Sequence, residues 1–352
     1  MIKYYCNKLF SMAIVLLVVT TITFFVSRLL PGDPTSLWVG DHPTKEQLKT
    51  AKKDLGFDRP IYEQYKSYMI GLLKLDLGIS LRTRQPVLEE VRKRFFATFE
   101  LVFVSMFFAV SFGFLLGLFS AIKQNSGYDK LISGIGYIGL SFPLFWLGMI
   151  LQLIFFGFLK WLPLHGRSSG FEGVDLDSFA STGILLLDSL LVGNVGLFAN
   201  ALMHITLPAL TMVFGVFGLI LRTTRSSIIE TSQEPFFKTY LAYGVSRKKT
   251  IWFTAFKNTL IPVTTVSGLS FGLLLGGTFL VESIFDWPGL GQFSVMSILS
   301  NDFPAIMGVT LLYTTTYVLI NFFIDLLYPL IDPRIRKITV SYTHLRAHET
   351  GC

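Results

Sequence analysis

Six stretches of this chain are apolar for the thickness of a bilayer. They fall at roughly 9–30, 98–122, 131–159, 203–221, 259–282 and 304–328, the third broken by Pro143. In hydrocarbon every backbone N–H and C=O must be satisfied within the segment, so a run of about 20 apolar residues spans as a helix. The runs therefore predict an all-α polytopic membrane protein with six transmembrane helices. Composition agrees: 51% of the 352 residues are hydrophobic and only 15% are charged, against about a quarter charged in a soluble domain.

The first run follows Lys3 and Lys8. It is longer than a signal-peptide core and lacks a small-x-small cleavage site, so it reads as an uncleaved span. The stretch 183–199, GILLLDSLLVGNVGLFA, is apolar but interrupted by Asp188, Gly193 and Asn194. It reads as an interfacial or re-entrant piece, since a seventh span there would reverse everything downstream. Loop charge supports that choice. With the amino terminus inside, segments 1–8, 123–130, 222–258 and 329–352 are cytoplasmic. They hold Lys3, Lys8, Lys123, Lys130, Arg222, Arg225, Lys238, Arg247, Lys248, Lys249, Lys257, Arg334, Arg336 and Lys337. Loop 283–303 has Asp286 and Asp302 and no Lys or Arg, and loop 160–202 only Lys160 and Arg167. This is a positive-inside pattern with both termini cytoplasmic. It also accounts for the net charge of +7 as membrane orientation, not nucleic-acid binding.

Segment 31–97 is basic and long, and long loops cross largely regardless of charge. It reads as a small exterior helical subdomain. Thr44 and Gln47 fit a capping box, Gly56 fits the end of that helix, and Asp58-Arg-Pro60 opens another with Ile61, Tyr65, Tyr68 and Leu72 at helical spacing. The predicted organisation is a first span 1–30, this subdomain, a five-helix core 98–328 with a cytoplasmic loop 222–258, and a cytoplasmic tail 329–352.

The sequence contains no GxxxxGK[ST] phosphate loop, HExxH or CxxC. Cys6 and Cys352 lie near opposite ends, and His344 and His348, an i,i+4 pair, have no third ligand nearby. The chain reads as a transporter component that binds no cofactor or metal itself. Acidic groups mark the span ends: Glu282 closes the fifth, and Asn321 and Asp325 share a face of the sixth. They read as interfacial, Asp325 beside Arg334 or Arg336. Gly268, Gly272 and Gly276, like Gly113 and Gly117, have the four-residue spacing that lets helices approach closely.

Between the fourth and fifth spans lies FFKTYLAYGVSRKKTIWF, 236–253. A helix runs toward Tyr243, Gly244 ends it, and Ser246 opens the next, which leads through Trp252 and Phe256 to Pro262. Phe236, Phe237, Tyr240 and Tyr243 are then available to a partner, with basic residues to orient it.

In order and spacing, LPGDP (30–34), LGFDRPIYEQY (55–65), LDLGISL (75–81), PVLEEVRKRF (86–95), SFPLFWLG (141–148), LPALT (207–211), NTLIPV (258–263), VESIFDWPGLG (281–291) and DLLYPLIDPRIR (325–336) resemble one family. It is the inner-membrane permease subunit of binding-protein-dependent ABC transporters, in the dipeptide, oligopeptide and nickel branch. The resemblance runs from Met1 to about Lys337. It implies a type I ABC importer permease in a bacterial or archaeal cytoplasmic membrane, carrying di- or oligopeptides or a related small solute. The implied partners are a second homologous permease, two ATPase subunits that use the ATP, and an extracytoplasmic substrate-binding protein. The segment around Gly244 corresponds to the family's ATPase-coupling loop, here Phe236, Phe237, Lys238, Thr239, Tyr240, Ala242, Tyr243, Gly244, Arg247 and Lys248. Its Glu-Ala-Ala positions read Lys238, Thr239 and Tyr240. The alternative from residues alone is a self-contained secondary transporter or channel. The polar tail 338–352 lies outside the resemblance and reads as disordered or non-native.

Overall fold

The computed structural model describes residues 2–29, 34–40, 44–169 and 182–331. Part of LPGDP, residues 332–337 and the tail with His344 and His348 lie outside the described residues. Each apolar run is helical, and several helices outrun their apolar windows. Helix α1 is Ile2–Leu29. The segment that follows holds three short helices, α2 (Pro34–Val39), α3 (Lys45–Asp54) and α4 (Ile61–Leu73). Thr44 and Gln47 form the reciprocal capping box of α3, and Gly56 follows its end with φ +70°. Helix α4 leans on the end of α1: the Tyr65 and Thr21 hydroxyls lie 2.8 Å apart, and Phe24 stacks on Tyr68.

Helix α5 (Val87–Ile122) starts well before the boundary expected at 97/98, so the last residues assigned to the exterior subdomain belong to the second span's helix. Polar side chains such as Glu89, Glu90 and Arg94 hid this extension from hydropathy. Its other face is apolar, with Val87 and Val91 buried against Leu290, Phe293, Ala305 and Val309. The two glutamates in the first turn also suit the helix dipole.

The third run breaks where Pro143 requires. Helix α6 (Gly127–Ser141) and helix α7 (Leu144–Gln152), which continues as a π-turn Leu153–Phe158, meet at 104°. A bend that sharp raises the question of a re-entrant hairpin. Contacts with the long helix α9 (Val195–Gln233) answer it. Asp129 meets Arg225, Gly136 meets Gly218, Gly139 meets Phe214, and Gly148 meets Thr211 and Phe285. Gln152 then donates to the Leu164 and Ile284 carbonyls at 3.0 and 3.1 Å. The pair runs along α9 from Arg225 to Thr211 and goes on to Phe285 and Ile284 at the far end of the bundle, so it is a single bent crossing. Five long apolar helices and this bent pair, taken as one span, make six.

Between them, α8 (Leu185–Leu191) turns at Gly193, φ +72°, into α9. The apolar stretch 183–199 is therefore a short helix plus the first turn of the fourth span. Helix α9 is the centre of the bundle and packs on α5 and α6. At its crossing with α6 a Cβ on Gly218 would lie 2.2 Å from the Gly136 carbonyl oxygen, so the two backbones touch and position 218 has no room for a side chain.

After α9 come α10 (Pro235–Ala242), α11 (Arg247–Thr250), a π-turn Ile251–Ala255, α12 (Phe256–Ile284), α13 (Leu290–Leu299) and α14 (Phe303–Ile331). Gly268 and Gly272 of α12 pack on Ile324 and Tyr317 of α14, whereas Gly276 has nothing within 4 Å. The three-glycine stripe is thus a two-glycine contact within this chain. Asp325 pairs with Lys8 of α1 at 2.6 Å, a partner 317 positions away (325 − 8) that its own helix gave no hint of. Lys8, Asp129, Arg225 and Asp325 mark one end of the bundle, and Glu100, Glu282 and Asp302 mark the other.

Candidate functional site

At the Asp129 end, α9 runs past its apolar window. Arg222 and Arg225, expected at the exit of the span, lie within this helix. Glu234 and Pro235 end it and start α10, where proline at the first helical position needs no N–H partner. Gly244, φ +83°, stops α10 after two turns. Its N–H bonds Leu241 O at 2.9 Å and the Val245 N–H bonds Tyr240 O at 3.1 Å, the paired bonds of a Schellman cap. Ser246 stands at the N-cap of α11 without a side-chain cap bond. From there the chain stays helical through the π-turn into the fifth span.

Of the aromatics expected to face a partner, Phe237 does not. It is 2% exposed and sits among Leu118, Ala121, Ile228, Ile251 and Ala255. Two adjacent phenylalanines on a helix cannot share a face, and here one anchors while the other is presented. Phe236, Tyr240, Leu241 and Tyr243 are exposed, Tyr243 at 83%. Lys238, Thr239, Ala242, Arg247 and Lys248 are exposed as well. Gly244 has no neighbour within 4 Å of a built Cβ. The result is a short helix held by one buried ring, with an aromatic and cationic outer face.

Beside this foot lies a charged knot that sequence reading passed over. Arg225 donates to Asp129 through Nε at 2.7 Å and Nη2 at 2.9 Å. Asp129 also accepts from the Asn125 N–H at 2.8 Å and from the Ser120 hydroxyl. One carboxylate thus gathers the end of α5, the following turn, α6 and α9. The local signal was present: Ser126 caps α6 by accepting from the Asp129 N–H, the Ser-x-x-Asp pattern of a helix start.

The opposite end holds Glu282. It was expected at an interface, yet it is fully buried. It accepts from the Thr98 hydroxyl at 2.6 Å and the Gln292 N–H at 2.9 Å. Thr98 in turn accepts from the Leu290 N–H at 2.8 Å, and the Trp287 indole donates to Ala97 O at 2.9 Å. A Cβ on Gly289 would come 2.4 Å from the carboxylate, which explains glycine beside it. The stretch VESIFDWPGLG is therefore a clasp in which a carboxylate caps the start of α13. Nearby, Glu100 accepts from Arg167 at 2.5 Å and from the Leu186 N–H at 2.7 Å, fixing α8.

Two grooves run along the bundle. One of 490 Å³ lies between α5, α6 and α9, and one of 470 Å³ between α5, α12 and α14. Their described walls are apolar apart from Thr206 in the first and Thr264 and Ser267 in the second. Among the described residues no group of three or more His, Cys, Asp or Glu could hold a metal.

Six crossings, one of them the central α9, with a separate helical foot at one end, define a multi-pass membrane protein. The sequence matches the binding-protein-dependent transport system inner membrane component over residues 113–337, and the N-terminal component of the same systems over residues 1–102. It is 41% identical over 331 residues to the probable D,D-dipeptide transport system permease protein DdpB of Escherichia coli K12, covering 94% of this chain and 96% of that protein. It is 38% identical to the dipeptide transport system permease protein DppB of Alkalihalophilus pseudofirmus, covering 96% and 100%. It is 35% identical to the glutathione transport system permease protein GsiC of Pectobacterium atrosepticum, covering 96% and 99%. The chain belongs to the binding-protein-dependent transport system inner membrane component family, as an ABC importer permease of the dipeptide and oligopeptide branch, and is a multi-pass inner-membrane protein.

Proposed function

We propose that this permease carries di- and oligopeptides inward together with a second homologous permease, and that α10 is the contact with an ATPase subunit. The observation that carries this reading is the split of α10 into one buried anchor, Phe237, and an exposed outer face of Phe236, Tyr240, Leu241 and Tyr243. Large aromatics flanked by cations form an efficient contact with a protein partner. No phosphate loop occurs in the chain, so ATP hydrolysis falls to two partner subunits. Small peptides as substrate follow from the relatives, which are named for D,D-dipeptides, dipeptides and glutathione.

Lys8, Lys123, Lys130, Lys238, Arg247, Lys248, Lys249 and Lys257 gather at the α10 end, which supports a cytoplasmic placement of that end by the positive-inside bias. The Glu282 end and helices α2 to α4 then face outward, toward an extracytoplasmic binding protein. The apolar walls of both grooves leave a peptide's charged ends without partners, which favours a pathway completed by the second permease.

The test is uptake of a labelled dipeptide into vesicles holding the two permeases, two ATPases and binding protein. Uptake that needs ATP and every subunit supports the reading. Uptake by the purified chain alone, driven by an ion gradient without ATP, would instead establish a self-contained carrier.

A further inference from the structure

The socket that holds Phe237 and the knot around Asp129 occupy neighbouring turns of the same two helices. Ala121 and Ile228 line the socket. Ser120, the residue before Ala121, and Arg225, one turn before Ile228, both donate to Asp129. Whatever displaces α10 therefore presses on helix ends already tied by one carboxylate. The carboxylate belongs to a third helix, α6. Asp129 is 3% exposed, and the two-pronged guanidinium contact fixes orientation as well as distance.

From Asp129, α6 has little freedom to slip against α9, because Gly136 and Gly218 bring the two backbones into contact. Beyond the 104° bend, α7 ends on the clasp at the far side: Gly148 lies against Phe285, and Gln152 donates to Ile284 O at 3.1 Å. Phe285 follows Glu282 by three residues. A continuous set of close contacts thus joins the foot of α10 to the Glu282 clasp through the bent span.

We infer that Asp129 and Arg225 are positioning residues that make the α10 socket and the start of α6 one rigid body, so that movement of α10 reaches the Glu282 clasp through α6 and α7. This rests on the reading of α10 as the ATPase contact. The pair touches neither substrate nor ATPase. Its contribution is to convert a displacement of the foot into one of the bent span, and coupling of this kind requires an element that both sites bias.

The experiment compares wild type, Asp129→Asn and the double variant Asp129→Asn/Arg225→Gln in the reconstituted complex with its ATPases, second permease and binding protein. Three quantities are read: ATPase co-purification, ATP hydrolysis, and labelled dipeptide taken up per ATP. The double variant removes both charges, leaves no uncompensated ion and so protects folding. The expected result is intact co-purification and hydrolysis with uptake per ATP reduced about tenfold, within the range of coupling between distant sites. Unchanged uptake per ATP, or failure of both variants to assemble, would overturn the assignment and leave the pair a folding element. Tyr243→Glu, run in parallel, separates this from failure of the docking reading: if α10 is not the contact, that variant keeps its ATPases.

Discussion

The two ends of the bundle are built on opposite plans. At the Glu282 end the polar groups of the clasp are satisfied from within the chain. A fully buried carboxylate is held by a hydroxyl and a backbone N–H, with glycine where a side chain would collide. At the α10 end the chain holds one ring and leaves the rest outward. Phe236, Tyr240, Leu241 and Tyr243 are exposed, and Gly244 has open space around it. A clasp satisfied from within gains little from a partner, whereas a helix that exposes aromatic area beside cations gains by being covered.

That contrast is open to attack by substitution. The largest loss of stability is expected from Glu282→Ala, which leaves the Thr98 hydroxyl and the Gln292 N–H buried without an acceptor, at about 1–3 kcal/mol each. Thermal unfolding in detergent should show a large drop, and an unchanged midpoint would mean the clasp is dispensable. Next is Phe237→Ala, with a cost of about 3–5 kcal/mol for emptying a packed aromatic site. It should detach α10 and abolish ATPase co-purification although every exposed aromatic remains.

Tyr243→Ala should behave in the opposite way. Its effect on stability should stay within about 0.5 kcal/mol, while ATPase association weakens by about 2 kcal/mol if it is a central contact. Gly244→Ala should be milder, costing about 1–2 kcal/mol because only the left-handed backbone is strained and nothing collides. Smallest is Gly276→Ala, neutral for the isolated chain because no atom lies within 4 Å, in contrast with Gly272→Ala, whose Cβ would meet Tyr317 at 2.3 Å. Should Gly276→Ala weaken assembly with the second permease, the open glycine belongs to that contact.

Much of this was legible beforehand, and the failures have definite causes. Gly244, Pro143 and the Thr44 box act through local backbone geometry, and the structure puts a cap, a bend and a helix start at those places. Helix α5 escaped because hydropathy sees lipid-facing character and not the amphipathic turns that a helix adds beyond the membrane. Phe237 was misjudged because composition shows a cluster of aromatics but not which side of a two-turn helix meets the bundle. Glu282 was misplaced because the groups that donate to it belong to Thr98 and Gln292, one of them 184 positions away (282 − 98).

By itself the sequence showed the apolar runs, their likeness to a permease family, the charge asymmetry between the loops and the turn at Gly244. These depend on the chemistry of contiguous residues against a layered solvent, so they survive without knowledge of neighbours. Only the tertiary structure decided that the broken third run crosses once, that Asp129 binds Arg225, that Glu282 is a buried clasp and that Phe237 anchors what its neighbours present. Each of those is a contact between helices, set by which faces meet, and the register of one helix against another is written nowhere in either helix alone.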